Sequence, residues 1–169
     1  MTIGGPLRKM LLTLHIVSSV GMLGAVAAFL VLAVVGLGAR ESTVYLAMDL
    51  ITTYSIVPLA WASLLIGILQ SLATPWGLFR HYWIVIKLAL TVLALVVLLL
   101  QTDSIRLLSA LPPETLDAAE WTSARFSTVL HASGGLMVLL LAAALSVYKP
   151  RGLTRYGWNL LNSDADKSA

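Results

Sequence analysis

Few residues in this chain can do chemistry inside an apolar environment. They are His15, Asp49, Lys87 and His131, with His81 at a boundary. Each lies in or beside a long apolar run, where an ionisable side chain is costly and usually faces a bundle interior or a cavity. Ser18, Ser19 and Met22 follow His15 at i+3, i+4 and i+7, so they share its helical face. Gly21, Gly24, Ala25 and Ala28 form an adjoining stripe of small residues. Two readings of His15 stand. One is a tight helix–helix contact with a hydrogen-bonded histidine. The other is an imidazole ligand to a haem or metal, the small residues leaving room for a flat macrocycle. His131 has a similar setting, with Ser127 and Thr128 before it and Gly134-Gly135 after it. The same two readings apply there. Lys87 either snorkels to an interface or neutralises a propionate or other anion. Asp49 reads as a cap or interface residue, and His81 as a headgroup contact.

These residues need elements to hold them. The chain has 169 residues, 59% hydrophobic and 11% charged, with a mean hydropathy of +0.90. An average soluble domain carries about 25% charged residues, so a soluble enzyme is excluded. The absence of cysteine excludes disulfides, Cys-ligated zinc, iron–sulfur clusters and thiol catalysis. Residues 11–39 carry no Asp, Glu, Lys or Arg for 29 residues, and 50–79 none for 30. Residues 88–102 are free of them for 15 and 126–148 for 23. A span needs about 20 apolar residues. The expectation is therefore an all-α fold, an integral membrane bundle of four transmembrane helices at 10–37, 45–72, 81–101 and 126–148. It forms a single membrane domain over 1–169. No alternation suited to a barrel appears, and the first span is too long to be a cleaved signal peptide.

Pro58 should kink the second span and free the Tyr54 carbonyl. Thr74-Pro75-Trp76-Gly77 is a turn, and a loop at 103–125 should carry a short amphipathic helix over Glu114 to Arg125. Residues 149–169 read as a cytoplasmic tail. Arg8, Lys9, Arg80, Lys149, Arg151, Arg155 and Lys167 fall on one side; Arg40, Arg106 and Arg125 fall on the other. That bias predicts a membrane protein with both termini cytoplasmic. Trp76, Trp83, Trp121 and Trp158 read as interfacial belt residues, and Trp61 as packed against another helix. The basic tail suits lipid headgroups, whereas a nucleic-acid role would need a larger patch. The expected partners are the lipid bilayer, a second copy in a homodimer held by Gly21, Gly24, Gly134 and Gly135, and a membrane redox partner.

Depth decides which groups can cooperate. At 1.5 Å per residue, His15 lies about 9 Å and Lys87 about 10 Å in from one boundary. These two can face each other. His131 lies about 9 Å in from the other boundary, roughly 12 Å along the axis from His15. One iron shared by both histidines is therefore not favoured, though a shifted register or tilted ring would allow it.

Several strings carry a resemblance. They are Leu14-His15-Ile16-Val17, Gly77 to Trp83 running into Lys87-Leu88-Ala89-Leu90, and Leu130 to Gly135 followed by Ser146 to Gly152. Together they resemble a bacterial family of four-helix integral membrane proteins of unknown function, over about residues 10–158. More distantly, the chain is similar to the copper-resistance protein D and HemJ-type protoporphyrinogen oxidase families. Those place a His in an early span, matching His15, and a Lys-Leu pair opening a later one, matching Lys87-Leu88. The resemblance implies haem b at His15 and Lys87, with a redox or porphyrin-related role. The candidate cofactor residues are thus His15, Lys87 and His131, with His15 and His131 as metal ligands. A non-enzymatic scaffold or assembly partner is the alternative, and copper handling the third. The five Met are scattered, unlike those of a copper carrier.

Overall fold

The computed structural model describes residues 4–38, 42–74, 77–116 and 118–166. Arg40, Glu41, Pro75, Trp76, Asp117 and Lys167, with the charges, turn and belt tryptophan expected there, lie outside the described residues. The described residues are helical almost throughout, with no β-strand among them. Helix α1 runs Gly5–Gly38, α2 Ser42–Ile51, α3 Val57–Leu72 and α4 Tyr82–Ala110. A short α5 covers Pro113–Leu116, then α6 Ala119–Tyr148 and α7 Arg155–Asp166. Four helical units are long and apolar enough to cross a membrane: α1, α2 through α3, α4, and α6. Their outer surfaces carry large apolar side chains such as Val20, Leu100 and Leu130, all exposed. In water that would drive aggregation.

The ends differ from the sequence expectation. Helix α4 continues past residue 101 to Ala110, and α6 starts at Ala119 rather than near 126. The amphipathic helix expected over Glu114 to Arg125 is divided between the four-residue α5 and the start of α6. Charges such as Asp103 and Arg106 mark where an apolar stretch stops, not where a helix stops. Trp61, expected inside, is 43% exposed on the outer surface. The tail contains the helix α7.

Pro58 acts as a switch in direction. It sits in the first turn of α3, where its missing N–H costs nothing. The preceding Thr52–Ile56 segment is a π-helical turn, with the Val57 N–H bonded to the Thr52 carbonyl. In a regular helix the proline ring would strike the Tyr54 carbonyl; a widened turn absorbs that clash. Before the turn, α2 packs mainly on α4; after it, α3 packs mainly on α1 and touches α4 much less. The second span thus crosses from one neighbour to the other, while α6 packs against both α1 and α4.

Packing is uneven along the bundle. Its tightest part gathers Tyr45, Met48, Thr52, Ile105, Leu108 and Leu116, all essentially fully buried. These residues lie where α1 ends and α6 begins. At the opposite end the bundle opens.

That open end is held by the tail. Thr154 N–H donates to the Arg80 carbonyl at 3.0 Å, and its hydroxyl to the Phe79 carbonyl at 2.6 Å. Tyr82 N–H donates to the Gly152 carbonyl, and His81 pairs with Leu153 in an isolated bridge. At Gly157 a Cβ would fall 2.4 Å from the Arg80 carbonyl oxygen, so only glycine permits this approach.

Candidate functional site

His15 points from α1 into the bundle beside α3 and α4. Its Nε2 lies 3.4 Å from Lys87 Nζ, so the two residues at one predicted depth do meet. A lysine ammonium can only donate, which leaves Nε2 as the acceptor when the pair is bonded. The ring lies against the Ser63 backbone. Its Nδ1 is buried and finds no partner in hydrogen-bond geometry among the described residues.

Helix α3 makes room for the ring. A Cβ on Gly67 would lie 3.0 Å from His15 Cε1, so a larger residue would push the imidazole aside. One turn earlier, Ser63 and Ser19 share a hydrogen bond of 2.7 Å between α3 and α1. Ser18 caps back onto the His15 carbonyl at 3.1 Å, and Thr91 onto the Lys87 carbonyl at 2.8 Å. The Ser18 and Thr91 hydroxyls spend their protons on backbone and leave His15 and Lys87 facing each other.

Around the pair lies a cavity of about 750 Å³, within the range of small-molecule and cofactor sites. It is bounded by α1, α3, α4 and α6. Its charged lining consists of Arg8, Lys87 and Lys149; no Asp or Glu is among the described residues around it. Apolar side chains including Leu12, Ile68, Leu88 and Leu139 make up most of the wall. The sparse contact between α3 and α4, a product of the π-helical turn, leaves part of this space.

His131 is elsewhere. It is exposed on the outer face of α6, with Nδ1 2.7 Å from the Ser127 carbonyl and 3.0 Å from the Ser127 hydroxyl. It does not line the cavity. Gly134 and Gly135 beside it have no neighbouring atoms where a Cβ would sit. Gly21, by contrast, packs on Leu59 inside the bundle. Among the described residues no group of three or more His, Asp or Glu is arranged to hold a metal ion. Asp49 has a buried Oδ1 without a hydrogen-bond partner among them.

Arg125 was counted in the sequence as a loop charge, and its position is the larger surprise. It is buried in α6 and grips the end of α1. Its Nη2 donates to the Gly36 carbonyl at 3.0 Å and also to the Leu37 carbonyl. Nη1 reaches the Leu116 carbonyl at 3.1 Å, and Nε the Tyr45 hydroxyl at 3.0 Å. Tyr45 itself donates to the Gly36 carbonyl at 2.7 Å. A cation at a helix C-terminus meets unpaired carbonyls and the negative end of the helix dipole together.

No family model matches the chain, and no curated protein or solved structure matches it. The functional reading therefore rests on the site itself.

Proposed function

We propose that this chain is a multi-pass protein of the bacterial cytoplasmic membrane, both termini in the cytoplasm, that binds haem b beside His15 and Lys87. The observation that carries the reading is the pair itself. An imidazole and an ammonium meet at 3.4 Å on the wall of a cofactor-sized cavity with no described carboxylate around it. The donor set suits haem better than a bare ion. Haem iron asks the protein for one or two axial ligands, whereas a copper or zinc site needs several side chains converging. No such convergence exists among the described residues, so copper handling has no support from them.

His15 would offer Nε2 as the ligand atom in place of its bond to Lys87, freeing the ammonium. The buried Nδ1 beside the Ser63 backbone is the nitrogen that would carry the proton, as ligating histidines usually arrange. Gly67 lets the ring stand at this angle. Lys87 supplies a positive charge able to neutralise a carboxylate. His131 takes no part in this cavity and is left out of the ligand set. Bound haem would supply one-electron chemistry, in electron transfer with a membrane partner or in porphyrin oxidation. The distant resemblance to the HemJ-type proteins points to the same two residues.

Purified wild-type protein from haem-replete cells should be red-brown with a Soret band. His15→Ala should lose most of that absorbance per protein while still inserting, and Lys87→Ala should lose less. His131→Ala should lose none. Colourless wild-type protein, before and after reconstitution with haem, would reject the reading. It would leave the scaffold reading ahead, which the Ser19–Ser63 bond and the Gly67–His15 contact between α1 and α3 favour.

A further inference from the structure

Helix α7 lies outside the four apolar units, and its roll about its own axis is fixed. Thr154 sets where it starts. The Thr154 hydroxyl accepts from the Gly157 N–H at 3.1 Å and donates to the Phe79 carbonyl. Gly157 then lies against the Arg80 backbone, closer than any side chain would allow. The first turn of α7 is thereby capped and pinned to the connection between α3 and α4 by the same residues.

The roll decides what α7 presents. A helix advances about 100° per residue. On that wheel Tyr156, Leu160, Gly157, Leu161 and Trp158 fill one continuous apolar arc with Gly157 at its centre, and Arg155, Asn159 and Asn162 fill the rest. With Gly157 turned onto the bundle, the arc faces the end of the spans and its flanks reach past the contact on both sides. Those flanks are uncovered: Tyr156 is 60%, Trp158 59% and Leu161 53% exposed. Phe79 and Tyr82, on the connection that α7 rests on, are exposed as well. Large apolar and aromatic side chains thus gather at one end of the bundle, beside the boundary that Arg80 marks. Amphipathic aromatic rings collect at membrane–water interfaces.

A second cavity, of about 660 Å³, lies between α7, the segment before it and the start of α4. Trp83, Leu153, Leu160 and Leu161 give it an apolar wall, and no Asp or Glu is among the described residues around it. Leu161 borders it while half exposed, so the space opens outward at that flank of α7. Arg151 borders it too and is exposed, as is Arg155 at the start of α7. Acidic residues enter the α7 sequence only in its last turn, at Asp164 and Asp166.

We infer that α7 lies in the headgroup layer of the leaflet beside Arg80, its apolar flanks among the upper acyl carbons and Arg151 and Arg155 on the phosphates of anionic lipid. The inference rests on the membrane reading and is independent of haem. Water would leave the flanks and the outward-opening cavity as exposed apolar surface, whereas lipid covers both. The pinned Gly157 makes the choice of face permanent, so α7 need not find its orientation at the surface as a free amphipathic helix must.

The chain has no cysteine, so single-cysteine variants of the full protein carry one spin label each. The host is a nanodisc of phosphatidylcholine and phosphatidylglycerol in equal parts, with oxygen reporting lipid and a nickel chelate reporting water. Labels at Tyr156→Cys and Leu161→Cys should sit about 5–10 Å below the phosphates, and the label at Asn159→Cys above them. Leu130→Cys, on the outer surface of α6, is the control for insertion. Nickel access at all four positions sinks the membrane reading itself. Nickel access at the three α7 positions with oxygen access at 130 overturns this inference alone and gives the face to a soluble partner. Because a label can dislodge a helix, unlabelled protein supplies a second measurement. The fluorescence that Trp158→Phe removes should be quenched by lipid brominated on its upper acyl carbons; quenching by aqueous iodide alone would overturn the inference. Arg151→Gln with Arg155→Gln should raise the lifted-to-docked ratio of α7 about tenfold or more, and wild-type protein in phosphatidylcholine alone should do the same. A depth that ignores both arginines and phosphatidylglycerol would overturn the assignment to anionic lipid.

Discussion

The bundle holds a buried cation at one end and a half-buried one toward the other, and treats the two in opposite ways. Arg125 spends its guanidinium on the Gly36, Leu37 and Leu116 carbonyls and the Tyr45 hydroxyl, amid the tightest packing in the molecule. Lys87 Nζ meets His15, whose buried Nδ1 finds no hydrogen-bond partner among the described residues. Arg125 has its bonds made, although Asp49 Oδ1 and Trp121 Nε1 near it find no partner among the described residues; Lys87 meets a half-satisfied imidazole beside a cavity. Burying a polar group is tolerable when its bonds are made and costs free energy when they are not. The first end therefore holds the bundle together, and the second carries a cost that a ligand can repay.

Stability measurements on ligand-free protein can break this contrast. The largest effect should come from Arg125→Met, which leaves the Leu37 and Leu116 carbonyls without their donor and the Gly36–Tyr45 pair without its cation. A loss of about 3 kcal/mol or more is expected in detergent unfolding. Cofactor retained per folded molecule should stay at the wild-type level. The opposite sign is expected at the other end. The double variant His15→Leu with Lys87→Met should be neutral or more stable by about 1 kcal/mol, since it removes a half-satisfied polar group from an apolar setting. A marked loss of stability there would mean that the pair is a structural tie and would erase the contrast. Tyr45→Phe removes one hydroxyl from the Arg125 network and should cost about 1 kcal/mol. Ser63→Ala, which breaks the 2.7 Å link to Ser19, should cost the least, about 0.6 kcal/mol, as interhelical bonds in membranes do.

Much of the fold was legible because long runs without charge leave a chain little choice but to form apolar helices. The meeting of His15 and Lys87 was legible too, since rise per residue converts sequence position into depth. Rotation about the helix axis was not. A helix that is apolar on all sides gives no sign of which face turns inward, and so His131 and Trp61 lie on the outer surface against expectation. Arg125 escaped for another reason. Its acceptors are backbone carbonyls at the end of α1, which no residue type advertises. The clue was only that a cation stood one helical rise from an apolar span. Gly67 passed unnoticed among other small residues, and its role appears only once His15 is seen beside it. Pro58 announced a break, but a widened turn and a kink share the same sequence signal.

The tail contacts have a consequence for the order in which the protein is made. The Arg80 carbonyl takes its partner from Thr154, 74 residues later. When the connection between α3 and α4 leaves the ribosome, the residues that will pin it have not been translated. The clamp at Arg125 is complete once α6 has begun. The His15 cavity acquires its settled border only after α6 has formed and the following segment has folded back. Any ligand would thus load late in biogenesis, and a nascent chain stalled within α6 would hold the Arg125 clamp while its cavity still lacked the wall from Leu139 to Lys149.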